Sequence, residues 1–490
     1  MNGVLALRTS ATLCSDPSRV VARLFLPGEE PHLAHSRAGT IAARVLALDE
    51  PTIERIAAGL GRDFANRYRD YPRLLERHAS VVAAHVDNGV PLSPARTLVL
   101  GASFTAEYAT EAAALCNPSA FLHPDQRNLE PGQVRVAVSL RAIGEGHISS
   151  ISFCEAVIGP GPQWSFAQRD VPIVAGEVSP GRWRADQLRA VLEDQGGVDE
   201  LSNGLLRTLP TQFDASDVER AVARLSADLL TRPGAQDSVD LMRRLVASAY
   251  EVDFPADTML AQRTLRPSVA EESDGMEDAR FTRFVAADGR VDYRATYTAY
   301  DGHQIAPRLL LSADLLNFRT HRLSGPAARN KGMALFPRLV GGRHLALCRT
   351  DGESISLTSS ADGYGWAQPR LIHEPVQPWE LVQVGNCGPP IETDAGWLVL
   401  THGVGPMRTY AISALLLDLD DPALVIGRLP YPLLQATRSE QDGYVPNVVY
   451  SCGGVVHDGR LWLPYGIDDT RIGVAWAPLD QLCSELISHR

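Results

Sequence analysis

The chain has 490 residues, with 46 Lys+Arg against 58 Asp+Glu and a formal net charge of −12. That balance argues against a protein whose affinity comes from neutralising many phosphates, so no nucleic-acid partner is expected. Hydrophobic residues at 45% and charged residues at 21% are ordinary globular usage, and 40 Gly with 33 Pro fall short of low-complexity composition, which excludes a mainly disordered chain.

The N-terminal apolar run of MNGVLALRTSATLC is short and is broken by Arg8, a poor signal-peptide core. No stretch nears the ~18 apolar residues of a membrane helix. A cytoplasmic protein without a membrane partner is expected. Residues 40–115 read as helical. From Thr52 to Val86, Ile53, Ile56, Ala57, Leu60, Phe64, Tyr68 and Tyr71 recur at steps of three or four, one apolar stripe on a helix that Pro72 kinks or restarts. FTAEYATEAAAL, after Ser103, reads as a second helical stretch. These positions read as core, and an N-terminal helical layer over residues 1–115 can carry a homo-oligomeric contact.

From about Val134 the pattern changes to short β-rich runs such as VRVAVSLRA, ISSISF, YRATYTAY, GWLVLTHG and LWLPYG, separated by turn dipeptides in ADGR, VGGR, TDAG and HDGR. A polar residue recurs at strand ends: Arg141, Asp301, Arg349, His402 and Asp468. The last four lie at intervals of roughly 50–65 residues, near the spacing of propeller blades. DASDVERAVARLSADLL, with Asp214 or Ser216 as N-cap, marks a helical insertion at about 184–250. The expected fold is an all-β core over residues 116–490, a five-bladed β-propeller with an N-terminal helical extension and this insertion. A propeller would gather residues distant in sequence around one pocket.

The seven cysteines are scattered without a CxxC pair, which suggests neither a zinc ribbon nor a redox site. Neither a metal nor a cofactor is expected. His147 has no partner at ligand spacing. Polar density within apolar strands is highest at SLRAIGEGHISSISF (Arg141, Glu145, His147), GMEDARFTRF (Glu277, Asp278, Arg280), ATYTAYDG (Tyr297, Tyr300, Asp301) and GNCGPPIETDAGWLVLTHG (Glu392, His402). The Gly-rich turn of the first leads into a strand, not a helix, so it is no dinucleotide fingerprint. Tyr297, Tyr300 and Asp301 offer flat apolar surface beside an acid, a mixture that suits a sugar. YDG alone reads more readily as a strand followed by an Asp-Gly turn.

SLRAIGEGHISSISF, MEDARFTRF, YTAYDG, NKGMALFPR, GNCGPPIETDAGWLVLTHGVGPMRTYAISALLLDLDDPALVIGRL and GYVPNVVYSCGGVV followed by LPYGIDD stand in this order. Over about residues 115–480 the chain resembles glycoside hydrolase family 130, the β-mannoside phosphorylases and β-mannosidases, whose fold is a five-bladed propeller. The resemblance implies inverting attack at a β-mannoside, with Asp301 as general acid. In the phosphorylases that proton reaches the glycosidic oxygen through a mannosyl hydroxyl. An oxocarbenium-like transition state requires such protonation of the leaving oxygen. The family's phosphorylases commonly read PPIKT where this chain reads PPIET, so Glu392 replaces a cation with a carboxylate, which would repel phosphate and activate water. Glu440 is a second candidate base, with Asp442 close by.

Hydrolysis of β-1,2-linked manno-oligosaccharides, with Asp301 and Glu392 facing one another across a cavity, is therefore the first expectation. The alternative is a phosphorylase giving α-mannose 1-phosphate, with inorganic phosphate as co-substrate held by Lys331, Arg349, His402 and Tyr410. A more remote alternative is a non-catalytic carbohydrate-binding propeller. Sugar recognition falls to Asp278 and Arg280, with Arg141, Asn330, Asp469 and Tyr300 beside them, and Glu145 and His147 reach a leaving-group sugar.

Overall fold

A computed structural model describes residues 5–27, 37–83, 91–169 and 171–489. The chain divides into two compact units, one of Met1–Ser15, Ala113–Arg169 and Gly176–Arg490, the other of Asp16–Ala112 and Asp170–Ala175.

The smaller unit packs helices Arg37–Ala47, Glu50–Phe64, Tyr71–Ala83 and Pro94–Ser103 around Ala42, Val45, Ile53, Val82, Val99 and Phe104. Asp49 caps the second helix by accepting the Thr52 N–H at 2.8 Å. The chain leaves that helix at Phe64 and starts the next at Tyr71, so Pro72 sits in a first turn, where it costs no hydrogen bond. Residues 84–86 of the expected helical stretch lie outside the described residues. FTAEYATEAAAL is not helical. Thr105–Ala109 is a strand paired with Val20–Leu24, and the following Ala114–Leu122 is a strand of the larger unit. The alanine-rich end of this stretch suits a helix locally, but Ala114 and Leu115 open a strand buried on both faces, and that burial decides the outcome. Leu7–Cys14, within the stretch expected to be helical, is also a strand and pairs antiparallel with Arg471–Pro478.

The larger unit is mostly β-sheet, built from antiparallel meanders. One is Ala114–Leu122, Val134–Ile143 and Ser149–Ile158. The next is Gly275–Val285, Val291–Tyr300, Ile305–Ser312 and Asn317–Arg322. The backbone ladder joins these two through a single parallel pair, Gly275 with Ser149. There a Cβ on Gly275, at φ 144°, would lie 2.8 Å from that of Ser149, so only glycine allows the approach. Then follow Ala334–Leu335, His344–Cys348, Ile355–Ser360 and Arg370–His373, next Gln383–Asn386, Gly396–Val404, Tyr410–Leu417 and Val425–Arg428, and last Val449–Tyr450, Val455–His457, Arg460–Ile467 and Arg471–Pro478.

Alternation explains why consecutive meanders stack. On Gly396–Val404, Leu398 and Leu400 pack with Ile412, Leu461 and Leu463, while Trp397 and Val399 face Phe336 and Leu347. A strand buried on both faces reads as a continuous apolar run, as GWLVL does. Each such side chain contributes about 1.5–3 kcal/mol. Between Trp183 and Tyr250 the helices Ala185–Asp194, Glu200–Thr208, Ala215–Val222, Ala227–Leu230 and Ala235–Ala247 enclose their own core of Leu188, Leu192, Leu205, Met242 and Leu245. Asp214, not Ser216, caps the third.

Candidate active site

Strands of the larger unit and the loops between them converge on a cavity of about 840 Å³. Arg141, Asp278, Arg280, Asn330, Lys331, Arg349, His402, Tyr410 and Asp469, all nominated by the sequence, line it together with Asn117, Gln383, Met407, Arg408, Asn447 and Tyr450.

One wall is acidic and amide-bearing. Asp278 Oδ1 accepts from Asn117 Nδ2 at 2.6 Å and from Arg141 Nη1 at 3.4 Å. Burial works against its ionisation, but Arg141, Arg280, Lys331 and the Asn117 hydrogen bond outweigh that and hold the carboxyl below its ordinary value. Glu277, behind it, accepts from Arg141 Nη2 at 2.6 Å and also from Lys331. Asp469 differs. Burial, opposed by Arg141 and aided by Asp278 and Asp468, pushes its carboxyl up to about 6.

The other wall is cationic and aromatic. Arg280 is buried, donating to the Cys387 carbonyl at 2.8 Å, the Asp278 carbonyl at 2.9 Å and Tyr450 Oη at 2.9 Å. Arg349, 9% exposed, donates to the Gly352 carbonyl at 2.6 Å and lies 3.2 Å from His402 Nε2. Neither guanidinium meets a carboxylate oxygen among the described residues. Burial and the repulsion of Arg280 lower the Arg349 pKa, and burial, Arg349 and Arg280 drive His402 well below the usual imidazole value. His402 is thus neutral, and with Nε2 accepting from Arg349 its proton belongs on Nδ1. Its ring stacks with Tyr410 at 6.2 Å and leans on Tyr450 at 4.8 Å. Gly385, cross-strand partner of His402, has room for no side chain, since a Cβ would stand 2.5–2.6 Å from Arg349 Cδ and Nε and His402 Cε1.

Backbone strain concentrates here. Asn117, Asp278, Asn330, Met407, Arg408, Asn447 and Asp469 all line the cavity with φ between 50° and 64°. Asn and Asp are the side-chain-bearing residues that tolerate this conformation best.

The expected pair of facing carboxylates is not assembled. Glu392 is exposed on Ile391–Thr393 and is held by Arg338, whose Nε donates to Oε2 at 2.8 Å; this pairing lowers its pKa. It does not line the cavity. Glu440 does not line it either. Its oxygens accept from Arg8 Nε at 3.0 Å and Nη2 at 2.6 Å, Tyr465 Oη at 2.8 Å and Thr437 N at 2.9 Å. Burial would raise its carboxyl, but these partners hold it at about 2. Glu440 has every acceptor position filled by structural partners, and Glu392, though exposed, is ion-paired with Arg338 away from the cavity, so neither is placed to activate water there.

Asp301, at the end of Val291–Tyr300, is outside the cavity lining as well. Its Oδ1 accepts the backbone N–H of Gln304 at 2.6 Å and of His303 at 2.9 Å, which lowers its pKa. The preceding Tyr300 donates to the Gly302 carbonyl at 2.8 Å, and its ring lies 5.8 Å from Lys331 Nζ, a cavity residue. Glu145 and His147 are exposed and off the lining; His147 Nδ1 is 2.9 Å from Tyr444 Oη, next to the lining residues Val445 and Pro446. Of the residues sequence reasoning missed, Asn117 and Asn447 carried a signal: each is an Asn beside a proline interrupting an apolar run, the kind of residue a left-handed backbone position takes.

The family model described as beta-1,4-mannooligosaccharide phosphorylase, that of glycoside hydrolase family 130, matches residues 254–486. A 1,2-beta-oligomannan phosphorylase of Thermoanaerobacter sp. (strain X514) is 36% identical over 212 residues, 42% of this chain and 69% of the relative. The chain belongs to glycoside hydrolase family 130. It is accordingly an enzyme of that family's mannoside phosphorylase or glycosidase kind. A second family member, a beta-1,2-mannobiose phosphorylase of Listeria innocua, is 30% identical over 230 residues, 46% of this chain and 62% of the relative. A solved structure of a beta-1,2-mannobiose phosphorylase from Listeria innocua, in complex with β-1,2-mannobiose, superposes with a TM-score of 0.46 at 20% identity, over 78% of this chain and 94% of that one.

Proposed function

We propose that the protein is an inverting β-mannoside phosphorylase acting on β-1,2-linked manno-oligosaccharides, on a five-bladed propeller whose blades are the five meanders. One observation carries the choice of phosphate over water: Arg349 is buried at one wall with no carboxylate within ion-pair distance among the described residues and with its Nε unpartnered, whereas Arg280 beside it already faces Asp278. An unpaired buried cation costs several kcal/mol unless an anion completes it. A phosphate dianion, reached by Arg349, Lys331 and the Tyr410 hydroxyl beside neutral His402, would do so. The phosphorylase relatives support the same reading, and the glutamates that favour hydrolysis in the sequence stand in ion pairs elsewhere.

In this mechanism Asp278, Asn117, Arg141 and Asp469 hold the mannosyl hydroxyls. A phosphate oxygen attacks the anomeric carbon as the bond to the glycosidic oxygen breaks on the opposite face. That oxygen takes a proton, giving α-mannose 1-phosphate and a mannoside shorter by one residue. Asp301 supplies the proton by family likeness. Relay through a sugar hydroxyl spares it from touching the glycosidic oxygen; the two N–H bonds to Oδ1 disfavour protonation, which falls to Oδ2. Asp469 is the alternative donor, favoured by a carboxyl that is already half-protonated near pH 6. The test is a panel of mannobioses incubated with and without inorganic phosphate. Turnover that needs phosphate and yields mannose 1-phosphate supports the proposal; free mannose released equally without phosphate overturns it. Asp301→Asn should abolish turnover, and full activity in that variant moves the proton to Asp469.

A further inference from the structure

Two hairpins in different meanders carry the same tight turn. In Gly144–Ile148 the first residue has φ −95° and ψ −165°, Gly146 has φ 71° and ψ 14°, His147 has φ 63°, and Ile148 returns to φ −76° and ψ 124°. In Gly405–Thr409 the matching residues are Gly405 at −99° and −168°, Met407 at 58° and 22°, Arg408 at 53°, and Thr409 at −75° and 118°. Each turn is closed by the same bond, from the N–H of its first residue to the carbonyl of its last, at 3.0 and 2.9 Å. One position differs in kind. Where the first turn takes glycine, which adopts a left-handed backbone freely, the second takes methionine, which does not.

The strained side chain has no packing role to explain it. Met407 is 90% exposed, yet it lines the mouth of the cavity with Val445 and Pro446. An unbranched, polarizable thioether held in the open at an active-site mouth is a contact surface without its partner. A mannosyl group held at the floor by Asp278 and Arg141 leaves the rest of the oligosaccharide facing that mouth.

We infer that Met407 is the apolar platform for the acceptor sugar, the residue on the leaving-group side of the scissile bond, and that its left-handed backbone is retained to aim it there. This rests on the mannoside phosphorylase reading. It predicts an unusual pairing of effects, because the same substitution that relieves strain removes a sugar contact.

The experiment runs the reaction in the synthetic direction on wild type, Met407→Gly and Met407→Leu. Mannose is varied at saturating α-mannose 1-phosphate, then the reverse, and thermal midpoints are measured alongside. Met407→Gly is expected to raise the midpoint by a few degrees and raise the KM for mannose about tenfold, equivalent to about 1.4 kcal/mol, with the KM for mannose 1-phosphate unmoved. Met407→Leu restores the acceptor KM to within a factor of about three. An unchanged acceptor KM in Met407→Gly, or equal rises in both KM values, overturns the inference while the wild-type turnover keeps the phosphorylase reading intact. A wild type that joins no mannose to mannose 1-phosphate overturns the reading and the inference with it.

Discussion

Glu440 separates a catalytic from a structural role most sharply. Its carboxylate joins three parts of the chain: Arg8 on the first strand, Thr437 on its own turn and Tyr465 on Arg460–Ile467. A carboxyl moved from an ordinary value of about 4.3 down to about 2 contributes ~3 kcal/mol to folding at neutral pH. Arg8 is 32% exposed and its pairing is partly screened, so ~2–3 kcal/mol is the fair expectation. The sign follows from the lowered value: the contribution is complete above about pH 4.3 and disappears as pH falls towards 2. Glu440→Gln should therefore lower the thermal midpoint at pH 7 by about 3–6 °C, narrow its gap from wild type as pH drops from 5 to 3, and leave kcat/KM for phosphorolysis within a factor of about three at 25 °C. A variant as stable as wild type but slower by about a thousandfold would refute the structural assignment and return Glu440 to the chemistry.

Glu392 and Arg338 form a pair about 40% exposed on both sides, so Glu392→Gln should cost at most about 1 kcal/mol, and steady-state assays with phosphate should find turnover unchanged; loss of activity would restore it as a base. Gly385→Ala should displace Arg349 and His402, raising the KM for phosphate at least tenfold in initial-rate assays while circular dichroism stays native; an unchanged phosphate KM would show that the two side chains do not form the anion site. Asp469, ionised above about pH 6, should make mannoside KM fall as pH rises through 6, and Asp469→Asn should flatten that limb. A kcat that instead falls through pH 6 in wild type and loses the limb in the variant would make Asp469 the proton donor.

What the sequence disclosed of the site were residues whose environment is local. Asp278 and Arg280, His402 and Tyr410, and Asn330 and Lys331 are near neighbours along the chain, and the cavity gathers them from two of the meanders and the loop that precedes a third. The glutamates were misleading for the converse reason. Arg338 lies 54 residues from Glu392 and Arg8 lies 432 from Glu440, and nothing in either local sequence announces a partner so distant. A carboxylate beside a family motif looks free until the cation that occupies it is seen. The pairing of Leu7–Cys14 with Arg471–Pro478 was hidden likewise, since LRTSATLC alternates too weakly to mark a strand and its partner is at the other end of the chain.

The left-handed residues supply a physical link between the legible and illegible parts. Each side-chain-bearing residue in that conformation costs about 1–2 kcal/mol, less for Asn and Asp, and seven of them ring one cavity. Five of the seven are Asn or Asp, the residues for which the conformation is cheapest and whose amides and carboxylates a sugar needs. An Asn or Asp at these positions thus serves two demands at once, turning the backbone sharply and aiming a hydrogen-bonding group at the cavity; Asp278, Asn330 and Asp469 were readable as candidate contacts, Asn117 and Asn447 were not. Met407 takes the turn without offering such a group, and Arg408 offers one at a higher backbone cost. Their larger backbone cost has no local compensation, so it must be offset by the packing of the strands on either side, Gly396–Val404 and Tyr410–Leu417, whose side chains are buried almost throughout. A site assembled this way gives up stability at its rim in exchange for direction, and substitutions there that stabilise the fold should be those that weaken substrate binding.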